Sequence, residues 1–260
     1  MPNRPGCGRA ALFSAAICLL TIPPAVALPG RVGPLEQVSG ASPFDGCTAD
    51  QPGSQGGGFA PDSEVEPWIG VNPDDPLNMV ATWQQDRWTN GGSRGLVVGV
   101  THNGGSTWTI VPVPGLSRCS GGTYLRASDP WLSFAPNGDL HHISLSFSPG
   151  GTNAMLVNKS TDGGRTWSDP VTLIVDSGPF FNDKETITAD PTNRNFVYAV
   201  WDRLESFNNQ GPAVYTRSTN GGRTWDPVRT LYNPGTGAQT IGNQIVVQPN
   251  GTVLDFFNEI

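Results

Sequence analysis

Thr101-His102-Asn103-Gly104-Gly105-Ser106-Thr107-Trp108, Ser160-Thr161-Asp162-Gly163-Gly164-Arg165-Thr166-Trp167 and Ser218-Thr219-Asn220-Gly221-Gly222-Arg223-Thr224-Trp225 are three copies of one phrase. Their tryptophans recur after 167 − 108 = 59 and 225 − 167 = 58 residues, a period that belongs to stacked or radially arranged supersecondary units. Each copy lies between two β-rich runs, such as Leu96 to Val100 and Ile110 to Val113 around the first. Two such runs about a glycine-bearing loop make a hairpin. The Asn or Asp at the third position can accept hydrogen bonds from its own turn, glycine supplies positive φ, and the tryptophan folds back as a lid.

A second phrase recurs upstream and ends on proline: Glu66-Pro67-Trp68-Ile69-Gly70-Val71-Asn72-Pro73, Asp129-Pro130-Trp131-Leu132-Ser133-Phe134-Ala135-Pro136, Glu185-Thr186-Ile187-Thr188-Ala189-Asp190-Pro191 and Asn243-Gln244-Ile245-Val246-Val247-Gln248-Pro249. Each reads as a strand leading through a polar turn into another apolar strand, as in Met79 to Trp83 or Phe196 to Trp201. The unit is therefore four antiparallel strands, A to D, in about 58 residues, which is a propeller blade. The expected fold is all-β, with three blades and half of a fourth over residues 61–260.

The tryptophan-ended phrase resembles the Asp-box of the sialidase (neuraminidase) superfamily, whose members are six-bladed β-propellers. The resemblance implies the same fold for residues 61–260 and an exo-α-sialidase-like glycoside hydrolase acting on sialylated or related glycans. Six blades of this period need about 350 residues, so the chain is expected to be an incomplete arc, the N-terminal portion of such a propeller. The superfamily also includes non-enzymatic receptors, so the alternative expectation is a non-catalytic extracellular propeller that binds a glycan, calcium or a protein.

Antiparallel strands sort the loops onto two faces. The boxes occupy one, and chemistry is expected on the other, where strands A begin and the B to C loops lie. Glu66, Asp129 and Glu185, with Asn243 fourth, open the A strands, and converging carboxylates there could make a general acid or recruit calcium. Asp86, Asp129 and Glu185 are the candidate catalytic groups. Arg87, Arg126, Lys184 and Arg203 are the candidate substrate contacts, because arginine grips a carboxylate through two parallel hydrogen bonds. By resemblance, Arg87 matches one of the three arginines with which sialidases hold the sugar carboxylate.

The departures are as informative. Sialidases open their first blade with an Arg-Ile-Pro phrase, and here Val65-Glu66-Pro67-Trp68 has no arginine. Their acid/base aspartate follows in the B to C loop, and Thr89 to Gly95 has none. Their nucleophilic tyrosine and its glutamate belong to late blades, beyond Ile260. No metal site is expected from His141-His142, since adjacent strand residues face opposite ways. Trp83, Trp88 and Trp201 could stack on sugars or fill the core between blades.

Residues 1–27 read as a secretory signal, with Arg4 and Arg9 before the apolar run Ala10 to Ile22 and Ala25-Val26-Ala27 before the cleavage point. Secretion to an extracellular or periplasmic space is the expectation, without membrane insertion. Residues 28–60, rich in Gly, Pro and Ser, carry no strand pattern and are expected as a linker. Without the signal two cysteines remain, Cys47 and Cys119, which could pair in an oxidising compartment or stay separate. Net charge moves from −7 to −9 when Arg4 and Arg9 are removed, which argues against nucleic acid as a partner.

Overall fold

The computed structural model describes residues 33–260; the signal peptide expected at 1–27 lies outside them. The expected blades form. β1 (Phe59–Val71), β2 (Met79–Trp88), β3 (Ser93–Thr101) and β4 (Thr109–Pro112) make blade 1; β5 (Arg126–Phe134), β6 (Leu140–Phe147), β7 (Asn153–Ser160) and β8 (Val171–Asp176) make blade 2. Blade 3 is β9 (Phe180–Ala189), β10 (Val197–Glu205), β11 (Ala213–Ser218) and β12 (Arg229–Tyr232), and the hairpin β13 (Thr240–Val247) with β14 (Val253–Glu259) begins a fourth. Every paired neighbour within a blade is antiparallel. Blades 1 and 2 are also joined by a bridge between Ser93 and Ala127.

The β-branched and leucine-rich strands bury their side chains between blades. Val80, Leu96, Val98, Leu132, Leu140 and Leu156 fill the space between blades 1 and 2, closed by Trp167. Ile143, Met155, Ile187, Val197 and Trp201 do the same between blades 2 and 3, closed by Trp225. Each such side chain removed from water contributes about 1.5–3 kcal/mol. Trp83, Trp88 and Trp201 are all buried in this framework, so they do not offer a face to a sugar.

The three boxes have one geometry. Thr101 Oγ1 donates to Asn103 Oδ1 at 2.8 Å, which accepts the Thr107 amide at 3.0 Å. Ser160 Oγ donates to Asp162 Oδ1 at 2.8 Å, which accepts the Thr166 amide at 2.9 Å. Ser218 and Asn220 repeat both bonds, with the Thr224 amide at 3.0 Å. Asn serves as well as Asp because the turn needs only an acceptor there. The boxes also fasten blade to blade. The Asn78 side chain donates to Gly163 O at 3.0 Å, and Lys159 Nζ donates to Gly221 O at 3.0 Å. Gly164 sits at φ 96°, and a Cβ there would stand 2.8 Å from Val80 Cγ2.

Residues 36–260 form one compact unit, which corrects the expected linker from Glu36 onward. Phe44 is buried with Trp83 and Val97, Cys47 and Cys119 are disulfide-bonded with their Cα atoms 5.9 Å apart, and buried Asp50 pairs with Arg94 at 3.0 Å. This segment lacks the period-2 pattern of a strand because it packs through isolated anchors. No helix among the described residues is long and apolar enough to cross a membrane.

Candidate functional site

Each inner strand carries a β-bulge near its start, and the residue at the bulge has positive φ. Glu66 (55°), Asp129 (51°) and Lys184 (52°) occupy it in blades 1 to 3, and Gly242 (71°) in the fourth. The ladder registers break there in all four, between Val65 and Trp68, Ser128 and Trp131, Val200 and Asp202, and Ile241 and Gln244. A bulge turns the side chains next to it, so the strand starts aim inward. It also corrects the expected alignment by one residue. Lys184, not Glu185, is equivalent to Glu66 and Asp129, and the closing prolines already carried that information: 73 − 66, 136 − 129, 191 − 184 and 249 − 242 all equal 7.

Lys184 consequently stands among the carboxylates. Its Nζ donates to Asp129 Oδ1 and lies 3.4 Å from Glu66 Oε1. Glu66 Oε2 accepts from Gln84 Nε2, and Gln84 Oε1 accepts from Arg87 Nη1 at 2.7 Å. Burial would raise Asp129, but the hydrogen bonds from Lys184 and Ser128 outweigh it and hold the group below the ordinary aspartate range. Burial likewise pulls Lys184 down, and the hydrogen bond and charge of Asp129 carry it above the ordinary lysine range. Burial, then the Asp129 charge, raises Glu66. The lysine fills the place a cation would take. Among the described residues, the one set of potential metal ligands lying within 4.8 Å of one another is Cys47, Asp50 and Cys119, and its sulfurs are bonded to each other. Glu66, Asp129 and Glu185, the carboxylates expected to converge, are not such a set.

The ion-pair cluster forms one wall of a cleft of about 570 Å³, with Arg87, Asp183, Phe147 and Phe181 among its other lining residues. Asp183, which belongs to the charged segment Phe181 to Glu185 but is not among the expected catalytic groups, is half-buried in that wall. Burial and then the Asp129 charge push it up to about 6. By sequence Phe181 to Glu185 reads as a loop that could touch substrate, whereas it belongs to the first half of strand β9. Asp202 lies directly opposite Asp183 in the ladder. It is 1% exposed, neither carboxyl oxygen has a partner, and burial followed by the Asp183 charge pushes it up to about 8.

The other expected site residues divide. Asp86 lies within β2, not in a loop, and its oxygens accept from Ser42 Oγ at 2.7 Å and the Asp62 amide at 2.8 Å; it fastens the N-terminal segment and does not line the cleft. Arg126 is completely buried. Its Nε donates to Gln55 Oε1 at 2.6 Å and its Nη1 to Asn90 Oδ1 at 2.8 Å, with the guanidinium 4.7 Å above the Trp88 ring. Burial, then the charge of Arg87, lowers it to about 10. Arg203, in β10, makes two bonds to Asp176 at 2.7 and 2.8 Å and stacks 3.8 Å over Phe180. Both arginines were expected as substrate contacts and are instead committed to the protein, because a fork donor finds internal acceptors once buried. Arg87 and Arg126 both line the cleft, Arg126 with its guanidinium engaged by Gln55 and Asn90, whereas Arg203 does not.

Glu185 follows Lys184 in the bulge and is 3% exposed. Burial, then the charge of Asp129, raises it well above the glutamate range. His141 and His142 are packing groups: His142 Nε2 lies 3.1 Å from Thr82 Oγ1 and its ring meets Trp167 edge-on, while a Cβ on Gly222 would meet His141 at 2.8 Å. Burial lowers the two to about 4 and about 3, so both are neutral.

No protein-family model matches the sequence, and no curated protein matches it. Among solved structures, the chain is similar to the alpha-L-arabinanase of Penicillium chrysogenum complexed with arabinobiose, with a TM-score of 0.58 at 17% identity over 77% of this chain and 60% of that one. The alpha-L-arabinofuranosidase of Fusarium graminearum, complexed with an iminosugar inhibitor, gives 0.57 at 14% identity over 77% and 59%. A Hadza microbial sialidase gives 0.50 at 14% over 75% and 44%. The likeness is one of fold. This chain therefore shares the architecture of propeller glycosidases while spanning 44% to 60% of these three chains.

Proposed function

We propose that the protein is a glycoside hydrolase whose cleft acts on a glycan, with Asp183 as the proton donor and Asp129 as the charged carboxylate. The observation that carries this reading is the divergence of two neighbouring aspartates in one cleft wall. Lys184 keeps Asp129 ionised, while burial and that same charge leave Asp183 protonated up to about pH 6. Pairs of carboxyls driven apart in this way supply the acid and the anion that glycoside cleavage needs. In the mechanism, Asp183 would protonate the departing glycosidic oxygen as the bond breaks. Asp129 would stabilise the positive charge that develops on the sugar until water adds to the anomeric carbon and gives its proton back to Asp183, and Arg87 would orient the ring through its free N–H groups. The similar arabinanase and arabinofuranosidase support a glycan substrate.

The arginines decide between sugar types. A sialic acid carboxylate is expected to need several convergent guanidinium groups, and Arg126 and Arg203 are already bonded within the protein. Arg87 alone favours a neutral sugar over an exo-α-sialidase substrate. The test is hydrolysis of 4-methylumbelliferyl α-L-arabinofuranoside beside the corresponding sialoside, with Asp183→Asn in parallel. Turnover of the arabinoside, reduced by about 10²–10⁴-fold in Asp183→Asn, is expected. Turnover of neither substrate, or an unaffected variant, would exclude the reading.

The second reading, a non-catalytic extracellular glycan-binding propeller, is favoured by the lysine that already neutralises Asp129. It predicts saturable glycan binding without turnover, and binding that Asp183→Asn leaves intact.

A further inference from the structure

The bulges also order the residues that follow them. Two positions beyond Glu66, Asp129, Lys184 and Gly242 stand Trp68, Trp131, Thr186 and Gln244, and all four line a second cavity of about 310 Å³. Its walls are unlike. On one side the indoles of Trp68 and Trp131 stack, with centroids 3.5 Å apart and planes 19° from parallel. On the other stand Thr186 and Gln244. Trp68 is held by its Nε1, which donates to Leu132 O at 3.1 Å, yet the residue remains 37% exposed.

A fixed, partly exposed aromatic face beside hydrogen-bonding groups matches one chemical class. The two faces of a sugar ring carry C–H groups of slight positive charge, which the negative face of an indole attracts, while the ring's edge carries hydroxyls. Gln244, an exposed residue of this wall, presents an amide that both donates and accepts hydrogen bonds. The cavity also adjoins the cleft, since Glu66, Asp129 and Lys184 form a wall common to both.

We propose that Trp68, backed by Trp131 and faced by Thr186 and Gln244, forms a subsite that holds one sugar ring of a glycan extending from the carboxylate cleft. This rests on the glycoside hydrolase reading for the identity of the chain in the cleft. The subsite would make affinity depend on chain length, because a single sugar occupies the cleft alone while an oligosaccharide reaches both cavities.

Calorimetric titration of the intact protein with α-1,5-arabinotriose and with 3′-sialyllactose, each beside its free terminal monosaccharide, tests this. For at least one pair the trisaccharide should bind about tenfold more tightly, which corresponds to about 1.4 kcal/mol. Trp68→Ala should abolish that gain, and Trp68→Phe should keep most of it. If Trp68→Ala does not fold, Gln244→Trp, an exposed position whose new ring would fill the cavity, should abolish the gain instead. Asp183→Asn should retain it, so loss of turnover and loss of the subsite are read separately. No chain-length gain in the wild type, or an undiminished gain in Trp68→Ala or Gln244→Trp, would overturn the proposal.

Discussion

At the box end of the blades positive φ falls on glycine: Gly105, Gly164 and Gly222 sit at 88°, 96° and 81°, and the acceptors Asn103, Asp162 and Asn220 bond within their own turns. At the cleft end the equivalent requirement falls on Glu66, Asp129 and Lys184, at 55°, 51° and 52°. Only Gly242 meets it with the residue best suited to it. Both ends repeat from blade to blade, but they repeat differently. The boxes repeat a chemistry that closes on itself. The bulges repeat a backbone shape and vary the charged group placed on it. A non-glycine residue in the left-handed region costs about 1–2 kcal/mol, and such strain concentrates where function needs a side chain.

The contrast can be broken at either end. Asp202→Asn should have the largest effect, through pH. The native carboxyl, pushed up to about 8 by burial, keeps its proton while the unfolded chain loses it near pH 4. The native state therefore binds more protons across that window, and stability falls as pH rises from about 4 to about 8, by up to about 5 kcal/mol. Urea unfolding across this range should show the fall in the wild type and a flatter profile in Asp202→Asn. Equal slopes would mean that the buried carboxyl is not a cost to the cleft end.

Gly164→Ala comes next. The added methyl would meet Val80 at 2.8 Å at a φ of 96°, and a loss of about 3 kcal/mol in denaturant unfolding is expected. Glu66→Gly has the smallest effect and the opposite sign. Relief of the left-handed strain should stabilise the fold by about 0.5–1 kcal/mol while weakening glycan binding. A destabilised Glu66→Gly would remove the argument that this position is retained for its side chain.

The same contrast explains what the sequence could convey. The boxes were legible because every residue needed for the turn lies within eight consecutive positions, so their period gave blade length, strand order and the face to search. The cleft was legible only in part. Glu66, Arg87, Asp129 and Lys184 are drawn together by a bulge that inserts one residue, and a slip of one residue exchanges the two faces of a strand. That slip put Glu185 in the place of Lys184 and hid Asp183. The internal partners of Arg126 and Arg203, Gln55 and Asp176, were out of view because they lie 71 and 27 residues away. The packing of residues 36–58 was invisible for a related reason: isolated anchors such as Phe44 leave no period.

The most direct measurement compares one substitution at each end, Asp183→Asn in the cleft and Asp162→Asn in the second box, by initial rates on the same aryl glycoside. Asp162→Asn should leave the rate within about twofold, since Asn103 and Asn220 already make that turn. Asp183→Asn should lower it by about 10²–10⁴-fold. A cleft variant as active as the wild type, or a box variant that loses activity while remaining folded, would contradict the assignment of chemistry to the face opposite the boxes.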